Sequence, residues 1–253
     1  MPTGLACGPR LFTKFMKPVY SFLRSNGFDS VAYIDDSLLI GSSPSECTLN
    51  VEATMKLLRS LGFYINVEKS SFLPSTEIKF LGFIINSNTM KVYLPESKKS
   101  KIKDNCNDFL GTKSCFIQLL ASFIGLLVSC FNAVEFGALH YRALERNKIS
   151  ALRKNCGKYD GWTYLSLDAL NDIDWWLNNV DLCSRSIRRS EPNLILCSDA
   201  SNEGWGAVVG DESTGGRWFL CEKLSHINAL EMKAVEFGLK ALCANESNIH
   251  IRL

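Results

Sequence analysis

A long uncharged stretch constrains the fold most, because no Asp, Glu, Lys or Arg lies between Lys113 and Glu135. This is about the length that a helix needs to cross a bilayer, so a membrane span is one interpretation. Its polar residues recur at intervals of three, four or seven and draw one stripe along a helix; they are Ser114, Gln118, Ser122, Ser129 and Asn132. That periodicity favours a helix buried in a protein core, and we expect no membrane partner.

The composition is that of an ordered protein with nearly balanced charge. Of 253 residues, 46% are hydrophobic and 21% are charged, which suffices for one large or two modest cores. Because the chain has 28 basic and 26 acidic residues, its net charge gives no support for nucleic-acid binding. Only a local basic patch could support it.

Ten cysteines are scattered from Cys7 to Cys243 without Cys-x-x-Cys spacing, and only three histidines accompany them. We expect reduced, mostly buried thiols rather than a disulfide framework or a zinc site. The N-terminal residues show no basic stretch followed by an apolar run, so neither a secretory signal nor a transit peptide is predicted. These patterns indicate an intracellular protein, without distinguishing the cytoplasm from the nucleus.

The first ninety residues alternate between helical and strand-like patterns. Apolar spacing predicts helices over residues 11–26 and 46–61, each followed by a glycine that favours a helix end. Residues 30–34 and 38–41 predict a hairpin whose tip is Asp35, Asp36 and Ser37, and residues 63–65 and 78–85 predict strands. The fold class expected is α+β.

After Pro95 the pattern turns helical and carries a short basic run of Lys98, Lys99, Lys101 and Lys103. It continues to a polar stretch at residues 184–192, which we interpret as a linker that contains Arg189. Beyond it, residues 194–199, 204–210 and 216–221 predict three strands, followed by a helix over 228–242 and a fourth strand that opens at Ile249.

The paired carboxylates Asp35 and Asp36 are candidate metal ligands. Like charges this close resist ionising together unless a cation lies between them, and carboxylate oxygens suit a hard ion such as Mg²⁺. A two-metal site of this kind could activate a primer 3′-hydroxyl and stabilise a leaving pyrophosphate. The alternative is that two aspartates merely favour a turn and stay solvated.

A second pair of acids lies near the C-terminus. Asp199 ends an apolar strand-like run, and Glu231 lies near the start of the predicted helix over residues 228–242. Without further context, such residues are usually exposed carboxylates with no special role.

Residues 33–36, Tyr-Ile-Asp-Asp, resemble the Tyr-x-Asp-Asp signature of reverse transcriptases. Segments around residues 4–12, 66–70 and 80–83 resemble further motifs of that family, in the same order. The resemblance implies an RNA-directed DNA polymerase in which Asp35 and Asp36 bind two Mg²⁺ or Mn²⁺ ions. Its implied partners are an RNA template, a DNA primer and deoxynucleotide triphosphates.

The same resemblance assigns binding roles to other residues. Gly4, Tyr33 and Lys69 would lie near the incoming nucleotide, with Lys69 close to its phosphates. The primer and template would be contacted by a hairpin and by the start of the thumb, through Phe80, Leu81, Gly82, Lys98 and Lys99. For the two lysines a solvated helix face is an equal alternative.

Residues 198–201 with 204–207, and residues 228–234, resemble the opening and the first helix of ribonuclease H. The resemblance implies that Asp199 and Glu231 bind two further Mg²⁺ or Mn²⁺ ions, which activate a water to cut the RNA strand of an RNA-DNA hybrid. Glu203, Asp211 and Glu236 match no position of that pattern and are interpreted as surface residues.

Together these patterns predict four regions: the C-terminal part of a reverse transcriptase palm (1–94), a thumb (95–150), a connection and linker (151–192) and a ribonuclease H-like domain (193–253). The connection would contain Trp162, Trp175 and Trp176. The sequences of residues 34–41 and 80–85 are most similar to those of retrotransposons of the DIRS type, which carry a tyrosine recombinase. Other proteins of such an element are possible partners.

Both sites depart from their families in one respect, because each family has a third acid that matches no residue here. We therefore expect a truncated polypeptide that is inactive by itself. Two alternatives stay open: a catalytically dead nucleic-acid-binding remnant, and a fragment without function whose unfinished sheet edge impairs folding.

Overall fold

The computed structural model describes residues 5–188 and 191–253, so Gly4 and Arg189 lie outside the described residues. The chain divides into two compact units, Met1–Ile187 and Arg188–Leu253. Each unit has its own apolar core and is described by itself.

Unit 1 begins with helix α1 (Gly8–Ser25), the hairpin β1 (Ser30–Tyr33) and β2 (Asp36–Leu39), and helix α2 (Pro44–Ser60). Both predicted helices are confirmed, and each begins two or three residues before its predicted start. The buried face of α1, which is Met16, Tyr20 and Leu23, packs against Leu57 and Leu58 of α2.

Local chemistry sets the start of α2. Pro44 occupies the first turn, where its missing N–H costs nothing, and the Ser43 side chain accepts a hydrogen bond from the Glu46 N–H at 3.2 Å. The Glu46 carboxylate in turn accepts from the Ser42 N–H at 2.9 Å. The hydrogen bonds from the Ser42 side chain and backbone lower the pKa of Glu46 below its ordinary value.

The strand predicted at residues 63–65 is wrong, because this segment has no regular secondary structure. Phe63 instead closes α2, donating its N–H to the Leu58 carbonyl at 2.9 Å while its ring packs against the core of α1. Tyr64 is 93% exposed. The apolar run reflects one residue that anchors a helix end rather than a strand in a sheet.

The run predicted as strand at residues 78–85 is a hairpin of β3 (Glu77–Phe80) and β4 (Phe83–Asn86). Its two-residue turn is Leu81 and Gly82, with φ of 50° and 77°, the left-handed pair that favours tight hairpins. A short strand that was not predicted, β5 (Lys91–Tyr93), pairs antiparallel with β4.

The rest of unit 1 is helical with short strands between: α3 (Glu96–Thr112), β6 (Ser114–Phe116), α4 (Ile117–Val128), a 3-10 turn (Gly137–Leu139), α5 (Arg142–Lys154), β7 (Trp162–Tyr164), α6 (Leu167–Asn179) and β8 (Arg185–Ser186). The pairing of β6 with β7 was not predicted. The predicted boundary at residue 150 falls within α5, and the division into palm, thumb and connection stays a prediction.

The predicted buried helix in the uncharged stretch is confirmed. Helix α4 buries Leu120, Phe123 and Leu127 in the main core of unit 1, together with Trp176 of α6. Among the helices of the described ranges, none is both long and apolar enough to cross a bilayer. Helix α4 carries no charged residue because it packs into the protein core.

The predicted linker at residues 184–192 is wrong at its first residues. Strand β8 joins the sheet as its fourth strand, in the order β3-β4-β5-β8, with Arg185 opposite Val92. The Arg185 side chain also donates to the Phe131 carbonyl at 3.0 Å. The sequence did not reveal this strand, because its residues are polar and an edge strand of two residues is too short to show apolar periodicity.

Unit 2 contains β9 (Leu194–Ala200), β10 (Gly204–Val209), β11 (Glu212–Arg217), the short helix α7 (Leu220–Lys223), α8 (Ile227–Leu242) and β12 (Ile251–Arg252). The sheet order is β11-β10-β9-β12. The first three strands are antiparallel, and β12 runs parallel to β9. The predicted helix and the first two predicted strands are confirmed.

The third strand predicted at residues 216–221 is wrong in position. A tight turn at Gly210 and Asp211 returns the chain at once, so β11 begins at Glu212, and residues 220–223 form α7 instead. The fourth strand, predicted to open at Ile249, begins at Ile251.

Helix α8 packs closely on the sheet because it carries a glycine at the contact. A Cβ at Gly238 would lie 2.7 Å from the Ala207 Cβ and 3.2 Å from the Leu196 Cδ1. Leu230 and Ala234 of the same helix are fully buried beside Trp218.

All ten cysteines lie in the described ranges and are free, as expected. The expectation that most are buried is wrong: only Cys106, Cys115, Cys130 and Cys243 are. Burial raises the pKa of Cys106 to about 12 and that of Cys115 to about 11, which keeps both thiols protonated at neutral pH.

Candidate active sites

The first acidic pair lies at an exposed turn. Tyr33 pairs with Asp36 across the hairpin, so the connection is only Ile34 and Asp35, with Ile34 at φ 52°. The predicted three-residue tip is therefore wrong, because Asp36 already belongs to β2. Tyr33, Asp35 and Asp36 are all exposed, and both carboxylates are accessible to a cation in solution.

The hairpin is fixed at its base by a buried amide. Asn50 of α2 is 1% exposed and donates to the carbonyls of Asp29 at 2.8 Å and Ile40 at 3.0 Å, the residues that flank the two strands. The Thr54 hydroxyl donates to the Asn50 side-chain oxygen at 3.2 Å. Nearer the turn, the hydroxyls of Tyr20 and Ser37 hydrogen-bond to each other, which ties β2 to α1.

Replacing this buried amide should loosen the hairpin. Asn50→Ala leaves the Ile40 carbonyl without its amide donor, and we expect a loss of about 1–3 kcal/mol in the free energy of unfolding. Urea denaturation followed by circular dichroism measures it. Asn178→Ala is the matched control, because the exposed Asn178 amide bonds only within its own helix and its loss should stay within about 0.5 kcal/mol. Equal losses in the two variants would contradict the anchoring role of Asn50.

Gly41 follows the hairpin where the chain passes closest to α2. A Cβ there would lie 2.7 Å from the Cys47 backbone nitrogen and 3.0 Å from its Sγ. We expect Gly41→Ala to destabilise unit 1 by about 1–3 kcal/mol through overpacking. Gly111→Ala in α3, where nothing lies within 4 Å, should instead stabilise by about 0.5–1 kcal/mol. Thermal melts of both variants test the pair, and a stabilised Gly41→Ala protein would refute the close approach.

A basic groove that the sequence did not reveal lies beside the hairpin. A cavity of about 690 Å³ is lined by α1 and by Ala32, Tyr33 and Ile34. Its basic residues, all from exposed positions of α1, are Arg10, Lys14, Lys17 and Arg24. These basic residues recur along the sequence of α1, but only the fold shows that the face they form lies next to Tyr33. Positive charge next to two aspartates suits a ligand that brings phosphates.

Lys69 lies exposed in a turn set by Asn66. The Asn66 side-chain oxygen accepts from the Lys69 N–H at 3.2 Å, and the Asn66 carbonyl accepts from the Ser70 hydroxyl at 2.7 Å. The turn holds the backbone and leaves the ammonium group at the surface. The predicted contact of Lys69 with nucleotide phosphates stays a prediction, as does that of Gly4, which lies outside the described residues.

The residues predicted to contact the primer form the β3–β4 turn. Leu81 is 41% exposed at its tip, next to Gly82, while Phe80 is half-buried. Phe83 packs against the main core of unit 1. The turn is thus a surface feature anchored by one aromatic ring.

The predicted basic run at the start of α3 makes contacts within the protein. The Lys98 ammonium lies 5.0 Å from the Phe83 ring centroid and donates to the Ser129 carbonyl at 3.2 Å. Lys99 pairs with Glu96 at 2.7 Å, and Lys103 pairs with Asp181 at 2.9 Å. Such surface pairs are worth at most about 1 kcal/mol, so they do not prevent these lysines from exchanging a partner for a phosphate.

The second acidic pair lies in unit 2. Asp199 is an exposed position of β9, and its cross-strand partner is Gly206. A Cβ at Gly206 would meet only the Thr214 carbonyl oxygen at 3.9 Å, so the surface beside the carboxylate is open. Glu231 is exposed in the second turn of α8, the helix that packs on β9 through Leu196. Strand alternation directs Asp199 away from the face that Leu196 presents to α8.

Neither pair is joined by further ligands within the described ranges, where no group of three or more His, Cys, Asp or Glu could hold a metal ion. Asp35 and Asp36 offer two adjacent exposed carboxylates, a donor set that suits a hard divalent cation, whereas Asp199 and Glu231 are exposed on separate elements, β9 and α8. Completing an octahedral shell would need further oxygen donors from a substrate, water or another carboxylate.

Comparison with known proteins bears on the first site. Residues 1–85 match the family model described as reverse transcriptase (RNA-dependent DNA polymerase). The chain is 24% identical over 250 residues to the genome polyprotein of Petunia vein clearing virus (isolate Shepherd), and this match covers 95% of the chain and 10% of that polyprotein. It is 23% identical over 261 residues to the enzymatic polyprotein of Figwort mosaic virus (strain DxS), and this match covers 93% of the chain and 34% of that polyprotein.

Among solved structures, the foamy viral protease-reverse transcriptase in complex with RNA/DNA hybrid is similar, with a TM-score of 0.61 and 19% identity. The match covers 95% of this chain and 31% of that one. The mixed helix and strand fold is therefore similar to that enzyme. The family match covers about the first third of the chain, and the chain spans 10% to 34% of the curated relatives above.

Proposed function

We propose, from the reverse transcriptase segment at residues 1–85, that this chain is part of an RNA-directed DNA polymerase with an associated ribonuclease H. One observation carries the proposal: within the matched segment, the Tyr-Ile-Asp-Asp sequence forms a tight hairpin turn that exposes both carboxylates. The buried Asn50 amide fixes the base of this hairpin, so the two carboxylates are presented from a held turn.

In the polymerase site, Asp35 and Asp36 would hold two divalent cations, Mg²⁺ or Mn²⁺, which supply charge neutralisation and Lewis acidity for nucleotidyl transfer. The protein's own part is positioning. Asn50 and Tyr20 fix the hairpin, and Tyr33 and Gly4 would lie against the incoming nucleotide. The basic face of α1 beside Tyr33 would attract the phosphate backbone of a nucleic acid.

In the second site, Asp199 and Glu231 would hold cations that support hydrolysis of the RNA strand of a hybrid. The sheet order β11-β10-β9-β12, with a helix before the parallel fourth strand, supports this part of the proposal, because ribonuclease H has the same succession of elements. The open surface at Gly206 offers room for a substrate beside Asp199.

Each site is proposed to gain its third carboxylate from elsewhere in a longer polypeptide. The curated relatives are three to ten times longer than the matched region, which supports this view. The DIRS-type assignment and an intracellular location, cytoplasmic or nuclear, belong to the same proposal and rest on the sequence.

The proposed partners are an RNA template, a DNA primer and an RNA-DNA hybrid. The solved relative holds an RNA/DNA hybrid, which supports this choice. The predicted template-primer contacts, Lys98 and Lys99 with the Leu81–Gly82 turn, belong to unit 1, as does the basic groove.

Magnesium-dependent extension of a DNA primer on an RNA template tests the proposal, with hybrid cleavage followed in the same reaction. This chain is compared with a longer product of the same reading frame. We expect the longer protein to show both activities and the 253-residue chain neither. Activity of the 253-residue chain would refute the need for outside carboxylates, and inactivity of the longer protein at saturating Mg²⁺ and Mn²⁺ would refute the enzyme assignment.

A further inference from the structure

A ribbon of two short strands displays aromatic rings to solvent. Strand β7 alternates exposed, buried and exposed, so Trp162 and Tyr164 lie on one face, 62% and 84% exposed, while Thr163 is buried. The Phe116 ring of β6 lies across from Trp162, with ring centroids 4.3 Å apart. Exposing this much aromatic surface is costly unless something covers it.

The ribbon is rigid and is held from both ends. The pairing of β6 with β7 continues in three flanking hydrogen bonds, from Leu165 to Lys113, Ile117 to Gly161 and Gln118 to Tyr159, at 2.8–3.1 Å. The Asn147 side chain donates to the Tyr164 carbonyl at 2.7 Å, which fixes β7 against α5. Rings on such a support lose little freedom when they bind a flat ligand.

Positive charge borders the same rings. A cavity of about 610 Å³ lies between α5 and β7, and Trp162 and Tyr164 share its lining with Arg146 and Lys154. Helix α5 carries five basic residues against one acid, Glu145. One acid also lines the cavity: Asp168, which lies 3.9 Å from Arg146. The balance at this face is basic.

We propose that the aromatic face of β7 and the basic face of α5 bind single-stranded nucleic acid, with unpaired bases stacked on Trp162 and Tyr164 and phosphates near Lys154 and Arg146. Exposed rings on a flat ribbon suit bases of any sequence, and the cations suit the backbone between them. A duplex does not fit, because its bases are already stacked and present no free face.

This face is distinct from the predicted template-primer surface. Lys98 lies at the start of α3, and β6 follows the other end of that helix, which is roughly 20 Å away at 1.5 Å per residue. The binding needs neither acidic site. It can therefore be measured in EDTA, where failure of the proposed polymerase and failure of this binding face are distinguishable.

The test is fluorescence anisotropy of labelled oligothymidylate and oligouridylate, titrated with the full chain in EDTA. We expect Tyr164→Ala and Trp162→Leu each to weaken binding about fivefold or more, as loss of a stacked base does. Tyr64→Ala is the matched control, because Tyr64 is an equally exposed tyrosine of the same unit and its loss should change nothing. Trp162→Phe should restore most of the affinity.

The salt dependence tests the phosphate contact separately. Lys154→Gln should make the slope of log affinity against log salt shallower by about 0.7 for a single strand. Unchanged affinity in both aromatic variants would overturn the proposal, and so would equal losses for a labelled duplex. Concentration-dependent dimerisation that Tyr164→Ala abolishes, seen by light scattering without any effect on oligonucleotide binding, would assign the face to a second copy and overturn it as well.

Discussion

Asp36→Asn is expected to lower primer extension by about a hundredfold or more in any version of the protein that extends a primer, and to leave hybrid cleavage unchanged. Asparagine keeps the size of the side chain and one of its oxygens, but it removes the negative charge that would hold a divalent cation. Changes to groups that merely support a metal ligand already cost about 10–100-fold, so loss of a ligand should cost at least as much. Asp36 is exposed at the start of β2, so the fold should not suffer.

The reciprocal variant makes this a test of two separate sites. Asp199→Asn should remove hybrid cleavage and leave extension intact, because Asp199 belongs to unit 2 and Asp36 to unit 1. Asp211→Asn is the control for charge alone, since it removes an exposed acid from another hairpin turn and should affect neither activity. If Asp36→Asn and Asp211→Asn extend a primer equally well, the turn is not a metal site.

The sequence predicted the long elements of this fold well, because their apolar faces repeat over many residues. Helix α1, which buries Met16, Tyr20 and Leu23, and the charge-free helix α4, which buries Leu120, Phe123 and Leu127, are examples. Most strands of two or three residues escaped prediction. Strands β5 and β8 have too few positions for any period, and their pairing is set by residues about ninety positions apart, such as Val92 and Arg185.

The candidate sites divide in the same way. The two aspartates of the hairpin were found from local sequence, although the turn proved one residue tighter than expected, since a left-handed Ile34 cannot be foreseen from its side chain. The basic face of α1 beside Tyr33 was missed, because no local pattern says which strand a helix face will meet. Conversely, the prominent Lys98 and Lys99 run is engaged by Phe83, Ser129 and Glu96 within the protein.

Trp176→Ala is expected to cause the largest loss of stability among these variants, about 3–5 kcal/mol, as for other buried large aromatic residues. The ring is fully buried in α6, and Gly137 packs so closely on it that a Cβ there would lie 2.8 Å from the ring. Its indole N–H donates to the His140 carbonyl at 2.7 Å. Alanine would therefore leave a cavity and would remove the donor of the part-buried His140 carbonyl.

Urea denaturation measures this loss as a shift of the unfolding midpoint of unit 1, with Trp162→Ala as the matched control. The same chemical change at a side chain that is 62% exposed should cost less than about 1 kcal/mol. Trp176→Phe separates the two contributions, because it keeps most of the packing and removes only the hydrogen-bond donor; it should lose about 1–3 kcal/mol. Equal shifts for Trp176→Ala and Trp162→Ala would contradict the burial of the Trp176 ring in the main core of unit 1.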